Sequence, residues 1–288
     1  MLHAITVPED AHVDMLTFEA SIRLGAFVGV FGLMALWELA APRRRLRVGK
    51  RRWVGNLALT SLNTVLLRVA VPLGAYGVAE VAAERSWGLL NLVDAPALVE
   101  VAIAVLLLDL TIYLQHRVFH AVPVLWRFHK VHHADNDIDV TTGMRFHPVS
   151  MVLSMGVKMG ATIAIGASPL AVLIGETALN LTAMFNHANV RLPLGVDRVL
   201  RWFLVTPDMH RVHHSVGPDE HGNNFGFNFP WWDRLLGTYR NQPAAGHDEM
   251  TIGLDEYQTH LRQSLFWMFA LPFRNYKGSS HITRGSRA

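Results

Sequence analysis

Three short stretches of the chain carry histidines at helical spacing: HRVFH at 116–120, HKVHH at 129–133 and HRVHH at 210–214. Residues three and four apart share one face of an α-helix. His116 and His120 therefore present their imidazoles together, as do His129, His132 and His133, and again His210, His213 and His214. Neutral imidazole is a ligand for iron, copper, zinc and nickel. Eight such rings are too many for one ion. They suit two, each using four or five ligands and keeping a position open for chemistry. His147 in RFHP and His187 in FNHAN stand between the stretches and are candidates to complete the set. The isolated His221, His247, His260 and His281 read as exposed surface residues. The chain has no cysteine, which excludes disulfides, thiolate-held zinc and iron–sulfur clusters.

The elements that must position these rings are apolar. Of 288 residues, 51% are hydrophobic and only 17% charged, against roughly 25% charged in a soluble domain; mean hydropathy is +0.22. Thr17–Ala41, Trp53–Ala79 (with Arg68 and Pro72 inside it) and Ala97–Leu114 are each long enough to cross a bilayer. Val149–Gly166 and Pro169–Phe185 form a further pair joined by a tight connection. The expected fold is all-α: a polytopic membrane bundle of four to five membrane segments, one pair a hairpin, with a cytoplasmic helical cap that carries the histidines. A single integral-membrane domain is expected over 1–288. It comprises three spans in 17–114, a catalytic region over 115–240 that includes the hairpin 149–185, and a cytoplasmic or interfacial tail over 241–288. LFWMFALPF at 265–273 is too short to span and is expected to lie in the interface.

Orientation follows from RRRLRVGKRR at 43–52, with seven basic residues in ten. Between two apolar spans such a run reads as a cytoplasmic loop and not as a nucleic-acid patch. Glu9, Asp10, Asp14 and Glu19 give an acidic N-terminus, which is then outside, and no basic segment precedes the first apolar stretch as in a signal peptide. Alternating the spans from there brings all three histidine stretches to the cytoplasmic face, in a bacterial inner membrane.

These stretches, with RFHP, NHAN, TPDMHRVHHS and WWDRLLGTY, resemble the histidine boxes of the fatty acid hydroxylase/sterol desaturase superfamily of integral-membrane di-iron enzymes. The resemblance covers Asp109 to about Tyr239, just under half of the chain. It implies two iron ions, for which zinc can substitute in purified protein, and O2 as co-substrate. The implied reaction is hydroxylation or desaturation of a lipid. Carried over position by position, the ligands are His116, His120, His129, His132, His133, His210, His213 and His214, with His187 the better and His147 the weaker match for a further one. Many relatives have two histidines at a short interval where NHANV has one.

Metal-bound imidazoles need a partner for the second ring nitrogen. Asp109, two turns before His116 within an apolar helix, is a candidate. So are Glu176 and Asn180 on one face of the last apolar segment, Asn189, Asp208 (otherwise a helix N-cap) and Asp233. Trp231 and Trp232 roof the site or anchor at the interface. No nucleotide-binding fingerprint is present, so electrons must come from a separate ferredoxin- or cytochrome-type donor with its reductase. Arginines near the boxes, among them Arg127, Arg198, Arg201 and Arg211, would attract an acidic donor. Two other classes compete with the oxygenase: a histidine-lined metal ion transporter, whose ligands belong mid-span, and a bis-histidine haem electron carrier, whose histidines belong on facing membrane helices. The sequence leaves open sterol, fatty acyl, ether lipid or carotenoid as substrate, and the oligomeric state.

Overall fold

Prolines set where most of the helices begin. The computed structural model describes residues 9–259 and 263–274, with side chains from Glu19 onward; His260 and His281 lie outside the described residues. The first helix, α1 (Glu9–Ala40), runs unbroken to Pro42. Helix α2 (Trp53–Ala70) stops before Pro72, and α3 (Gly74–Glu84) follows it. After Pro96 comes α4 (Ala97–Ala121), and α5 (Pro123–His133), α6 (Pro148–Ile165) and α7 (Pro169–His187) each start on a proline. Proline suits the first turn because its missing N–H would have no partner there. Shorter helices complete the chain: α8 (Leu194–Leu200), α9 (Pro207–His213), α10 (Pro218–His221), α11 (Trp231–Leu235), α12 (Gly246–Glu249) and α13 (Leu265–Ala270). Among the described residues no strand forms beyond two isolated bridges, Pro42–Val190 and Ser215–Ile252. The fold is all-α.

Among the described residues, four segments are long and apolar enough to cross a membrane: Glu19–Ala40, Gly49–Glu84, Ala97–Ala121 and Pro148–Ile165. Their outward faces carry exposed Leu24, Leu36, Val65, Val69, Ile103 and Leu153, as faces bathed in lipid require. The expected second span over 53–79 is interrupted. Pro72 cannot continue the helix, so Val71 turns away and α3 restarts from Gly74 at φ +57°. Helix α7, expected as a fifth span, is not among the four. It is a central helix packed against α1, α3 and α4, with Ala171, Val172, Ala183 and Met184 buried.

The bundle has two unlike ends. At one end the α6–α7 turn meets the loop before α4, where Leu89 N–H donates to Ala164 O at 3.1 Å. Gly88 (φ +97°) lies so close to Gly166 (φ +74°) that a Cβ on Gly88 would fall 2.2 Å from the Gly166 nitrogen. At the other end lie the C-termini of α4 and α7, the start of α6, and the histidines.

The basic segment 43–52 is not a free solvated loop. Arg52 is buried in ion pairs with Asp135 and Asp139. Asp137 accepts the backbone N–H groups of Arg47, Val48 and Gly49 at 2.7, 2.8 and 3.1 Å. Arg43 reaches Asp208 and Asp248, and Arg44 donates to Met250 O at 2.8 Å. In 265–273, expected at the interface, Phe266 and Phe273 are exposed. Trp267, Met268 and Leu271 instead pack in a core with Leu59, Trp126, Val131 and Tyr257.

Candidate metal centre

Among the described residues, nine histidines converge at the cap end in two groups. His116, His120, His129, His133 and His213 form one; His132, His187, His210 and His214 form the other. Within each group one ring nitrogen per residue lies within 4.8 Å of all the others. The last two turns of α4 supply His116 and His120, and α5 splits its three rings between the groups. Helix α9 does the same, its start fixed by Thr206, whose Oγ1 accepts from Met209 N–H at 3.3 Å. The last residue of α7, His187, completes the second group.

Tautomers show what the groups are built to hold. His116 Nδ1 donates to Phe225 O at 2.8 Å, His213 Nδ1 to Asn223 O at 2.7 Å and His187 Nδ1 to Ala183 O at 2.7 Å. A neutral ring with its proton on Nδ1 has only a lone pair on Nε2. Yet His116 Nε2 and His213 Nε2 face each other at 3.1 Å with no proton between them. His129 Nε2 lies 3.1 Å from His116 Nε2, and His120 Nε2 lies 3.1 Å from His133 Nε2. In the second group His187 Nε2 faces His132 Nε2 at 3.2 Å and His210 Nε2 at 3.1 Å. Two nitrogens bound to one ion at about 2.1 Å stand roughly 3 Å apart. The residues present therefore fit two cations better than they fit one another.

The surroundings keep the rings neutral. All nine are buried. Burial, reinforced by neighbouring rings, holds His129, His132, His133, His210, His213 and His214 well below the ordinary imidazole value. Phe146 stacks on His132 (4.4 Å, 14°), Phe225 stands edge-on to His116 and His213, and Phe227 packs on both His116 and His210 at 5.1 and 5.8 Å.

The carboxylates and amides expected to hold the second ring nitrogens do not touch any of the nine imidazoles; backbone carbonyls take that role for His116, His213 and His187. Asp109 accepts from Trp232 Nε1 at 2.8 Å, with the Asn228 and Phe229 amides beside it. Glu176 pairs with Lys158 and Arg23, while Asn180, one turn on, is exposed. Asn189 exchanges hydrogen bonds with the Arg44 backbone. Asp208 is neither N-cap nor ring partner: Thr206 is the cap, and Arg211, His247 and Arg43 hold the Asp208 carboxyl below its usual value despite burial. Asp233 acts one step removed. Its oxygens accept from Phe225 N–H (2.8 Å), Gly226 N–H (2.9 Å) and Thr238 Oγ1 (2.7 Å), fixing the strap whose Phe225 carbonyl orients His116. Burial pushes Asp233 up to about 6.

His147 joins neither group. Its Nδ1 caps α6 by accepting from Val149 N–H at 3.2 Å, and its ring lies between Phe128 and Phe269. Trp231 Nε1 donates to Trp202 O at 2.7 Å, away from the rings. His221 and His247 are buried, contrary to the expectation for lone histidines: His221 stacks on Trp126 and His247 lies 3.6 Å from Asp208. Of the arginines expected to face a donor, Arg201 and Arg211 are buried in pairs with Asp197 and Asp208, leaving Arg127 and Arg198 exposed. The sequence reading also missed the network under the second box. There Asp135 accepts from Thr142 Oγ1 (2.9 Å), Asp139 from Trp53 Nε1 (2.8 Å), and Arg145 Nε donates to Val131 O at 2.8 Å. The alternating acids of DNDID at 135–139 were its only trace in the sequence.

The family model for fatty acid hydroxylase matches residues 101–238, the stretch that contains all nine converging histidines. Those residues belong to the fatty acid hydroxylase family. Among curated relatives, the ornithine lipid hydroxylase of Rhizobium tropici is 30% identical over 158 residues, 54% of this chain and 46% of its own. An alkylglycerol monooxygenase of Xenopus tropicalis is 33% identical over 46% of this chain and 28% of its own. The cholesterol 25-hydroxylase of Rattus norvegicus is 29% identical over 57% and 56%. The chain thus spans between about a quarter and somewhat over half the length of these relatives. No solved structure matches it. Within the matched region α4, α5, α7, and α9 with its C-cap His214, carry every ring of the two groups; α1, α2 and α3 lie before it.

Proposed function

We propose that this chain is a membrane-bound oxygenase that hydroxylates a lipid with O2 and electrons from a separate donor, at two metal ions held by nine histidines. The observation that carries the reading is the convergence of Nε2 atoms at 3.1–3.2 Å in two groups, with the facing His116 and His213 Nε2 atoms both unprotonated. The donor set is all imidazole, which suits iron and also admits zinc during purification. Two irons bound there supply reductive activation of O2 for attack on an unactivated C–H bond.

The chain's own residues do the rest. The Phe225, Asn223 and Ala183 carbonyls fix three rings in the tautomer that points Nε2 inward. Phe146, Phe225 and Phe227 keep water from the rings. From the bundle side a narrow cleft approaches between α3, α4, α6 and α7. Its upper end, at Ile112, Leu179 and Asn228, is separated from the rings by Phe227 and Ala183. A lipid entering from the bilayer reaches the centre by displacing Phe227, without crossing water.

Both competing classes fit poorly. A transporter needs ligands along a path, whereas all nine rings sit together at one end. A bis-histidine haem needs a disc-sized gap between its axial rings, and rings packed at 3.1 Å leave none. With the cap in the cytoplasm, Arg127 and Arg198 are among the exposed basic groups available to an acidic donor. The test is metal analysis and absorbance of the purified protein, with mass spectrometry of membrane lipids with and without the gene. Two non-haem irons per chain, no Soret band and a lipid heavier by one oxygen support the reading. A haem spectrum, or unchanged lipids, overturns it; loss of two hydrogens would make the enzyme a desaturase.

A further inference from the structure

The cleft below the metal centre is not uniformly apolar. Val105, Leu108, Ile112, Val172 and Leu179 line it, but so do Asp109, Lys158, Thr162 and Glu176. Thr162 is fully buried, and its hydroxyl makes no hydrogen bond. Asp109 is buried too; its Oδ2 holds Trp232, while its Oδ1 makes no close hydrogen bond, the Asn228 and Phe229 amides lying beside the carboxyl. Lys158 shares the Thr162 face of α6 one turn earlier and has one partner, Glu176, for three ammonium donors. A wall for an alkyl chain has no use for such groups, and a buried hydroxyl or carboxylate oxygen without a partner is destabilising.

We infer that this cleft binds a lipid through an alcohol hydroxyl, and that the carbon oxidised at the metal centre is remote from that hydroxyl. A hydroxyl both donates and accepts, matching an acceptor on Asp109 and a donor–acceptor on Thr162. The spacing follows from the helices. Asp109 is seven residues before His116, and Glu176 eleven before His187; at 1.5 Å per residue this places the polar wall about 10–16 Å below the rings. The substrate lies with its hydroxyl end deep in the cleft and its far end against Phe227. The inference rests on the cleft being the route to the metal centre, as proposed above. It goes further by assigning substrate class and regiochemistry: a long lipid alcohol is oxidised away from its hydroxyl, and a lipid is not oxidised next to its headgroup.

Binding tests this without turnover. The full-length protein, freed of metal by a chelator and held in nanodiscs, is titrated with dodecanol and with methyl dodecyl ether, which keeps the chain but cannot donate. Affinity is read by thermal shift and equilibrium partitioning. Dodecanol is expected to bind about tenfold more tightly, equivalent to about 1.4 kcal/mol. Thr162→Val, which removes only the hydroxyl, should cut that preference to about threefold or less while ether affinity stays unchanged. Gly175 also lines the cleft, where an added Cβ meets only Leu108; Gly175→Leu should fill the space and weaken both probes. Equal binding of alcohol and ether, or a preference that survives both Thr162→Val and Asp109→Asn, overturns the inference. If the preference is found in a protein that holds no iron and oxidises no lipid, the cleft assignment stands and the oxygenase reading falls.

Discussion

The two histidine groups are built differently. The five-ring group draws only on the three patterned stretches, and two of its rings are aligned from outside, by carbonyls of the strap at 223–225. The four-ring group depends on His187, a lone histidine at the end of α7, whose ring is aligned by its own helix through Ala183 O. The first group is thus set by a loop folded over it, and the second by where a central helix ends. In the proposed centre the second ion also has one ring fewer, and so one more position free.

The sharpest way to break this comparison is to remove one ring from each side. His187→Ala should release one of the two ions and abolish turnover, with the other ion retained; His120→Ala should do the converse. Metal content per chain measures both. If either variant loses both ions together, the groups are one cooperative unit and the distinction fails.

The network under the box shared by both groups should matter most for stability. Arg52→Ala leaves Asp135 and Asp139 buried without their main cation, and breaking such a pair costs about 3–5 kcal/mol. Thermal unfolding should show a large drop for this variant; a change of a degree or two would mean the network is idle.

Asp233→Asn tests the strap. The amide can accept from only one side of the Phe225–Gly226 turn, so metal affinity should fall about 10–100-fold. The loss belongs to the five-ring site. A metal titration that weakens both sites equally would show that the strap does not act through His116 and His213.

The metal-free protein should lose stability as pH falls. His129, His132, His133, His210, His213 and His214 are held far below the ordinary value, and burial lowers His247 to about 4. Unfolded, each takes a proton as pH drops through about 6.5, while the folded chain does not. The unfolded state then binds more protons, so stability falls with pH below about 6.5. A flat denaturation midpoint between about pH 7.5 and 5.5 would contradict this.

The smallest effect is expected outside both groups. His147→Ala removes a helix cap, worth about 0.5–2 kcal/mol, and should leave metal content unchanged. Loss of an ion in that variant would return His147 to the ligand set.

Much of this was legible in the residues alone, because helical periodicity is local. The i, i+3, i+4 histidines declared their shared faces, and Pro123, Pro148, Pro169 and Pro207 marked where helices start. The apolar runs declared the bundle, though not the break at Pro72 or the central place of α7. What the sequence could not declare was partnership across the chain. His129 and His132 sit on one helix face yet serve different groups, because the split depends on how α4, α7 and α9 converge on α5. Asp109 looked like a ring partner from its spacing, but a backbone carbonyl lies closer to His116, and Asp109 instead holds Trp232. The basic run at 43–52 read as a membrane-orienting loop, while burial of Arg52 beside acids more than eighty residues away made part of it a structural clamp. Spacing fixed which residue types face together on each helix. Only the packing of helices against one another decided which rings meet, which carbonyl orients each, and that Phe227 stands between the cleft and both groups.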